Sequence, residues 1–250
     1  MEIKVLTQEE INGTLWRACD TFRGKIDSAI YKDYILVMLF IKYVSDIYKE
    51  RRQEMMEKYN NDVEMVERQM RYERFVLNER STFDYIYDKR NQPNIGEIIN
   101  IALEQVEEEN KTKLRGVFKN IDFNSEAVLG STKERNTMLK NLLEDFKDLD
   151  LRPSRLKGDD IIGNAYEYLI GHFASDAGKK GGEFFTPAEV SELLARLVKP
   201  QENDRIYDPT CGSGSLLIKA FNKVPNGKAQ IYGQVDEISS CCSKSSLLPW

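Results

Sequence analysis

The sequence predicts a two-part protein, in which an α-helical N-terminal domain is followed by the start of an α/β domain with a parallel sheet. Apolar residues recur at helical spacing through residues 1–152. From residue 187 the pattern becomes helix, strand, glycine turn, helix and strand, which is typical of a parallel sheet with crossover helices. Arg152-Pro153 interrupts the helical pattern. We therefore expect domains at 1–152 and 153–234, and an unrelated Ser/Cys-rich tail at 235–250.

The helical part begins with a capping box, Thr7-Gln8-Glu9-Glu10, in which the hydroxyl and the later carboxylate each bond an otherwise unpaired amide. It opens a helix with Ile11, Leu15, Ala18 and Phe22 on one face. Periodicity predicts further helices over Tyr31–Tyr59, Asp62–Asn78, Asn94–Glu109, Ser131–Leu149 and Asp159–Ala174. We expect Pro93 in the first turn of the Asn94–Glu109 helix.

Composition narrows the function classes. A net charge of −5 argues against a generally basic nucleic-acid coat, so any DNA contact must come from local patches or from a partner. The four cysteines show neither metal-ligand spacing nor a disulfide framework, which indicates no metal site and a reducing cytoplasm. The most apolar segment, Tyr34–Ile41, is far too short to span a bilayer, and we expect no membrane contact.

The second part carries a glycine turn between a predicted strand, Arg205–Asp208, and a predicted helix, Ser215–Asn222. Gly212 and Gly214 let a ligand approach the main chain, and the helix that follows directs free amides towards an anion. No Lys-Ser or Lys-Thr follows the glycines, so the turn is not a triphosphate-binding loop. A small carboxylate matches it better than a pyrophosphate does. The sequence also predicts a helix over Pro187–Val198 and a strand over Gln230–Gly233.

Two motifs in this order carry a resemblance to a known family. Asp208-Pro209-Thr210-Cys211-Gly212-Ser213-Gly214 and Gly182-Glu183-Phe184-Phe185-Thr186-Pro187 resemble the amino-group DNA methyltransferases. Within that family the chain is similar to the methylation subunit of type I restriction–modification systems, and the helical part resembles that subunit's N-terminal domain. The resemblance covers nearly all of residues 1–234. It implies a Rossmann-like domain that transfers a methyl group from S-adenosylmethionine to adenine N6 in a specific DNA sequence.

The resemblance also implies a cofactor site and partners. Gly212, Ser213 and Gly214 would line the methionine part of S-adenosylmethionine, with Asp208 near its amino group. Thr186 would hydrogen-bond the cofactor's carboxylate. The other residues implied in the same cofactor-contacting loop are Glu183, Phe184, Phe185 and Pro187. The implied partners are DNA, a specificity subunit, a second methylation subunit and a restriction subunit.

The chain departs from the family at two places. Members carry an acidic residue after the second strand, where its carboxylate binds the ribose hydroxyls, but here Val235 follows Gln234. Losing such a bond costs roughly 1.5–3 kcal/mol, or about ten- to a hundredfold in affinity. Asp236 or Glu237 is an alternative donor of the carboxylate, although a change of register in a strand turns side chains to the opposite face. The catalytic Asn-Pro-Pro-aromatic motif is absent from all 250 residues. We therefore expect a truncated chain with no catalytic residue of its own and with weakened cofactor binding.

Two other functions stay open at this point. One is a non-catalytic helical module that binds the specificity subunit or DNA. The other is a nucleotide-binding α/β protein unrelated to methylation, which would bind NAD or ATP in place of S-adenosylmethionine. A Ser-His-Asp hydrolase is disfavoured, because His172 is the only histidine and lies in the middle of a predicted helix.

Overall fold

A computed structural model describes residues 5–156, 163–165, 168–169, 186, 188–211 and 214–234. The chain divides into two compact units, Met1–Ile161 and Ile162–Trp250. The first is helical and the second contains a parallel sheet, which confirms the predicted fold class. The domain boundary that we place after Arg152 stays a prediction. Among the described residues, no helix combines the length and the apolar character that crossing a bilayer requires.

The first unit is built from helices joined by turns and loops. The longest described helix has 31 residues. The bounds of the helices are α1 Gln8–Phe22, α2 Ser28–Lys58, α3 Val63–Met70, α4 Phe83–Asp88, α5 Ile95–Glu109, α6 Lys111–Leu114, α7 Glu126–Leu129 and α8 Thr132–Lys147. Single 3-10 turns lie at Glu79–Ser81 and Pro153–Arg155.

The helix starts follow the capping chemistry of the sequence. The Thr7 hydroxyl accepts the Glu10 amide at 3.3 Å, and the Glu10 carboxylate accepts the Thr7 amide at 3.0 Å, which confirms the predicted capping box. Ser131 and Glu134 form a second box at the start of α8. Pro93 lies just before the N-cap residue Asn94, so it precedes α5 and does not stand in its first turn.

The helix predicted over Asp62–Asn78 is too long, since α3 ends at Met70. In the segment that follows, the side chain of Asn110, at the end of α5, bonds the backbone of Val76. The Asn110 amide accepts the Val76 N–H at 2.9 Å and donates to the Val76 carbonyl at 2.8 Å. Phe75 and Leu77 are buried, and they lie in a segment without regular secondary structure. The short helix α4 was not predicted.

Aromatic side chains fill the core of the first unit. Phe22, Phe83, Phe123 and Phe146 are fully buried. Tyr34, on α2, meets the Phe123 ring edge-on with a centroid distance of 5.0 Å, a favoured aromatic geometry. Its hydroxyl donates to the Asp122 carbonyl at 3.1 Å, which satisfies the polar end of a buried ring. These contacts tie α2 to the loop between α6 and α7.

The second unit contains the predicted strand–turn–helix arrangement. The helix α9, Ala188–Val198, precedes the strand β1, Arg205–Asp208; the helix α10, Ser215–Phe221, then leads to the strand β2, Gln230–Gly233. The strands pair in parallel, with Arg205 opposite Gln230 and Asp208 opposite Gly233. Both strands have the bounds that the sequence predicts. Residues 163–165 and 168–169 are helical, and the rest of the helix predicted over Asp159–Ala174 lies outside the described residues.

Candidate functional site

Gly214 is the described glycine of the turn between β1 and α10, and its backbone conformation is one that glycine favours. Gly214 is the N-cap of α10 and adopts a left-handed conformation with φ 80° and ψ 3°. An L side chain is strained there, so the position favours glycine. The Gly214 amide donates to the Cys211 carbonyl at 2.7 Å, and the Gly214 carbonyl accepts the Ile218 amide at 3.0 Å. Gly214 is thus bonded to the residue that begins the turn and to the first turn of α10.

Asp208 ends β1 at the entrance to this turn. Its Oδ1 accepts the Thr210 amide at 2.9 Å, which folds the chain back after the strand. Its carbonyl accepts the Gln234 amide at 2.9 Å, so the end of β1 is tied to the end of β2. The carboxylate is half-buried. An anionic group in this position can accept hydrogen bonds from an ammonium group held over the turn.

Cys211 lies beneath the turn and is buried. Burial raises the pKa of its thiol, and the nearby Asp208 charge raises it further. The neutral thiol is therefore favoured, and Cys211 is not an activated nucleophile. Its amide donates to the Gln234 carbonyl at 3.1 Å, which adds a second tie between the turn and β2.

Gly233, the last residue of β2, is a part of the site that sequence reasoning missed. A Cβ at this position would lie 2.6 Å from Cys211 Sγ and 3.1 Å from Leu217 Cδ1. Atoms cannot approach so closely, so the end of β2 packs against the turn and α10 only because residue 233 has no side chain. The sequence offered one indication of this role, which is that a glycine ends the predicted strand Gln230–Gly233. The next residue, Gln234, accepts the Tyr207 hydroxyl at 2.7 Å through its side chain.

The second motif is described at Thr186, which is exposed. Its carbonyl accepts the hydroxyl of Ser191, a fully buried residue of α9, at 3.4 Å. The helix α9 packs on α10. Glu192 pairs with Lys223 at 2.8 Å, at the end of α10 that lies away from Gly214. That Thr186 and the glycine turn share one hollow stays a prediction.

Six predicted site residues lie outside the described residues, so their positions stay predictions. They are Glu183, Phe184, Phe185, Pro187, Gly212 and Ser213. The predicted site residues that are described are Thr186, Asp208 and Gly214, and Cys211 and Gly233 pack against each other at the glycine turn. Within the residues that the structure describes, no group of three or more His, Cys, Asp or Glu side chains is arranged to hold a metal ion.

The two units correspond to two family matches. Residues 11–146 match the model of the HsdM N-terminal domain, and residues 157–241 match that of the N-6 DNA methylases. The first of these matches covers more than half of the 250 residues, and it places the chain among the proteins with an HsdM N-terminal domain. The chain belongs to the family of type I restriction enzyme methylase subunits, through its HsdM N-terminal domain.

Individual relatives agree with this assignment. The chain is 34% identical over 260 residues to the type I restriction enzyme MpnII methylase subunit of Mycoplasma pneumoniae, covering 90% of this chain and 48% of that protein. It is 29% identical to the MjaIX methylase subunit of Methanocaldococcus jannaschii, covering 90% of this chain and 42% of that protein. The chain therefore spans about half the length of these relatives.

A solved structure shares the fold. The type I restriction–modification methyltransferase subunit from Streptococcus thermophilus superposes with a TM-score of 0.79 at 24% identity, covering 97% of this chain and 56% of that one. The architecture of both units is thus that of a type I methyltransferase subunit.

Proposed function

We propose that this chain carries the helical domain and the first part of the S-adenosylmethionine pocket of a type I methylation subunit. In its complete form such a subunit transfers a methyl group to adenine N6 in a specific DNA sequence. One observation carries the proposal: the turn from Asp208 to Gly214, with Gly214 in a left-handed conformation, joins β1 to α10 within the segment that matches the N-6 DNA methylases. The loop that contains Thr186 lies in the same segment.

In this proposal each residue acts on the methionine end of the cofactor. Gly212, Ser213 and Gly214 would line the methionine moiety, where glycine leaves room for close approach. Asp208 accepts hydrogen bonds from the cofactor's ammonium group, while its Oδ1 also holds the Thr210 amide. The Thr186 hydroxyl donates to the cofactor's carboxylate. The remaining loop residues, Glu183, Phe184, Phe185 and Pro187, complete the wall of the pocket.

Bound S-adenosylmethionine would supply an activated methyl group, and the chain's own residues would only bind and orient it. Methylation at adenine N6 also needs groups that accept hydrogen bonds from the exocyclic amine, whose lone pair is delocalised into the ring. It further needs an aromatic residue on which the flipped base stacks. The Asn-Pro-Pro-aromatic motif that provides both is absent from these 250 residues. We therefore propose that this chain is inactive by itself.

We propose DNA, a specificity subunit, a second methylation subunit and a restriction subunit as the partners of the complete protein. This follows from the family membership of the chain and from its net charge of −5, which leaves sequence recognition to another subunit. Because type I methylase subunits act on DNA inside the cell, we propose a cytoplasmic location.

A non-catalytic interaction module is the second candidate function. It is favoured by the packing of the first unit, whose core of fully buried phenylalanines forms from residues of that unit alone. Such a unit can bind a protein partner without any cofactor chemistry. Co-purification with a specificity subunit, together with no affinity for S-adenosylmethionine, would distinguish this function from the first.

The proposed function is tested by equilibrium dialysis of the 250-residue chain against radiolabelled S-adenosylmethionine, ATP and NAD in parallel. The proposal predicts saturable binding of S-adenosylmethionine alone. A second assay adds the specificity subunit and DNA with unmethylated sites, and it predicts no methyl incorporation. Binding of ATP or NAD without S-adenosylmethionine would contradict the cofactor assignment, and methyl incorporation would contradict the predicted inactivity.

A further inference from the structure

The sequence contains two Asn-Gly pairs, Asn12-Gly13 and Asn226-Gly227. The first pair lies inside the helix α1, and the second lies in the turn between α10 and β2. An asparagine followed by glycine is able to lose its side-chain amide without any enzyme, because glycine has no Cβ to hinder the approach of its own backbone nitrogen. The two pairs therefore place the same reactive dipeptide in two different surroundings.

We propose that Asn226 is a site of spontaneous deamidation and that Asn12 is protected from it. In this reaction the backbone nitrogen of Gly227 attacks Cγ of Asn226. The new N–Cγ bond closes a succinimide ring, the Cγ–Nδ2 bond breaks, and Nδ2 leaves as ammonia with the proton that the Gly227 nitrogen gives up. Water then opens the ring at either carbonyl and leaves aspartate or isoaspartate at position 226. No oxidant, reductant or cofactor takes part.

The turn at Asn226 holds the attacking nitrogen weakly. Asn226 has φ 59° and ψ 11°, and Gly227 has φ 61°, so both residues lie in the left-handed region. The Gly227 amide donates to the Val224 carbonyl at 3.2 Å, which closes a 3-10 turn of three residues. A short turn of this kind opens at a small cost in free energy, and rotation about the Asn226 backbone then brings the nitrogen to Cγ. These features are properties of residues 224–227 themselves.

The helix α1 protects Asn12. Gly13 is an interior residue of α1, so its amide is held in the helical pattern of hydrogen bonds. The Asn12 side-chain oxygen accepts the Gln8 side-chain amide at 3.0 Å. Ile11 and Leu15 of the same helix are fully buried, so rotating the backbone here would withdraw them from the core. Opening a packed helix costs far more free energy than opening a short turn.

Deamidation at this turn would loosen the beginning of the parallel sheet. In isoaspartate the main chain runs through Cβ and Cγ, so the turn before β2 becomes longer by a methylene group. The Lys228 carbonyl accepts the Asn203 amide at 2.6 Å, and the Gln230 amide donates to the Asp204 carbonyl at 2.9 Å. Both bonds tie the turn and the start of β2 to the segment before β1. We therefore expect the Gln230 amide to exchange faster with solvent after the reaction.

The test is incubation of the 250-residue chain at mildly alkaline pH for several weeks, followed by digestion and mass spectrometry of the peptides. The reaction changes the mass of a peptide and adds a negative charge, and chromatography separates the aspartate and isoaspartate forms. We expect deamidation of the folded chain at Asn226 to be at least about tenfold faster than at Asn12. In concentrated guanidinium chloride we expect similar rates at the two residues, because folding no longer distinguishes them. Neither measurement involves cofactor binding or methyl transfer.

Two variants test the mechanism. Gly227→Ala is expected to slow the reaction at Asn226 at least about tenfold, because a methyl group then hinders the attacking nitrogen. Asn226→Gln is expected to keep its Gln230 exchange rate unchanged during incubation, while that of the wild type rises. The proposal is overturned if Asn226 and Asn12 react equally fast in the folded chain, or if neither reacts there while both react in denaturant. An undiminished rate in Gly227→Ala, or Gln230 exchange that is the same in the wild type and in Asn226→Gln after incubation, also overturns it.

Discussion

Asp46 accepts the backbone amide of Leu151 through Oδ2 at 2.7 Å, although the two residues are 105 positions apart. The same carboxylate holds the ammonium group of Lys42 with both oxygens, at 2.6 and 2.7 Å. One turn further along α2, Glu50 accepts the Ser154 amide at 3.3 Å. Two carboxylates of α2 thus fasten the segment that leads out of the first unit.

Removing the Asp46 carboxylate should strongly destabilise the first unit. Asp46→Ala leaves the Lys42 charge, whose side chain is 7% exposed, buried without its partner. Breaking a buried pair in this way costs about 3–5 kcal/mol. Chemical denaturation followed by circular dichroism measures this loss. Asp84→Ala is the control, because its pair with Lys49 has side-chain exposures of 61% and 63% and should cost less than about 1 kcal/mol. Equal losses for the two variants would contradict the buried anchor.

Tyr34 should make stability depend on alkaline pH. Burial raises the pKa of Tyr34 from 10.0 to about 12, with a further increase from the Asp122 charge. The unfolded chain therefore loses this proton first, and the contribution of Tyr34 is complete below pH 10 and is lost between about pH 10 and 12. The loss is of the order of 2 kcal/mol. Denaturation of the wild type and of Tyr34→Phe across this range measures it. A difference between the two proteins that does not change with pH would rule out this titration.

Gly96 and Gly13 form a matched pair for substitution by alanine, since both lie within helices. A Cβ on Gly96 would lie 2.3 Å from the Phe123 carbonyl oxygen, a backbone atom that cannot move without disturbing the core. Around Gly13 nothing lies within 4 Å of that position. Gly96→Ala should therefore destabilise by about 1–3 kcal/mol or more, and Gly13→Ala should stabilise by up to about 1 kcal/mol. Thermal unfolding of both variants checks the opposite signs, and the same sign for both would contradict the packing around Phe123.

Gly233→Ala should disturb the glycine turn from beneath. The new methyl group would meet Cys211 Sγ at 2.6 Å, so the turn or the end of β2 must shift. Replacing Cys211 with alanine removes that sulfur and should restore part of the lost stability of the second unit. Hydrogen exchange at the amides of Cys211 and Gly214 measures the effect for Gly233→Ala and for the double variant. If the amides exchange as fast in the double variant as in Gly233→Ala alone, the clash with Cys211 is not the cause of the disturbance.

Local features of the fold could be predicted from the sequence. The Thr7 capping box and the two strands obey short-range rules, and the structure has them at the predicted residues. The glycine turn was predictable at Gly214 because its left-handed backbone excludes most other residues. The path of the chain after Met70 was not predictable, since the bonds at the Val76 backbone come from Asn110, 34 positions away.

Contacts between distant segments of the chain carry no sequence signal. The bond between Asp46 and Leu151 requires α2 and the end of the first unit to be adjacent, which periodicity cannot show. In the candidate site, Gly233 is recognisable only once β2 is placed against Cys211.

The central claim is that the turn from Asp208 to Gly214 binds the methionine end of S-adenosylmethionine. Calorimetric titration of the 250-residue chain with S-adenosylmethionine tests it most directly, comparing the wild type with Asp208→Asn. The control is Glu202→Gln, which removes an exposed carboxylate of the same unit that pairs with Lys228 at 3.1 Å. We predict saturable binding by the wild type and by the control, and at least tenfold weaker binding by Asp208→Asn, because a charge-assisted bond contributes about 1.5–3 kcal/mol. Equal affinities for all three proteins, or no binding by the wild type, would contradict the account.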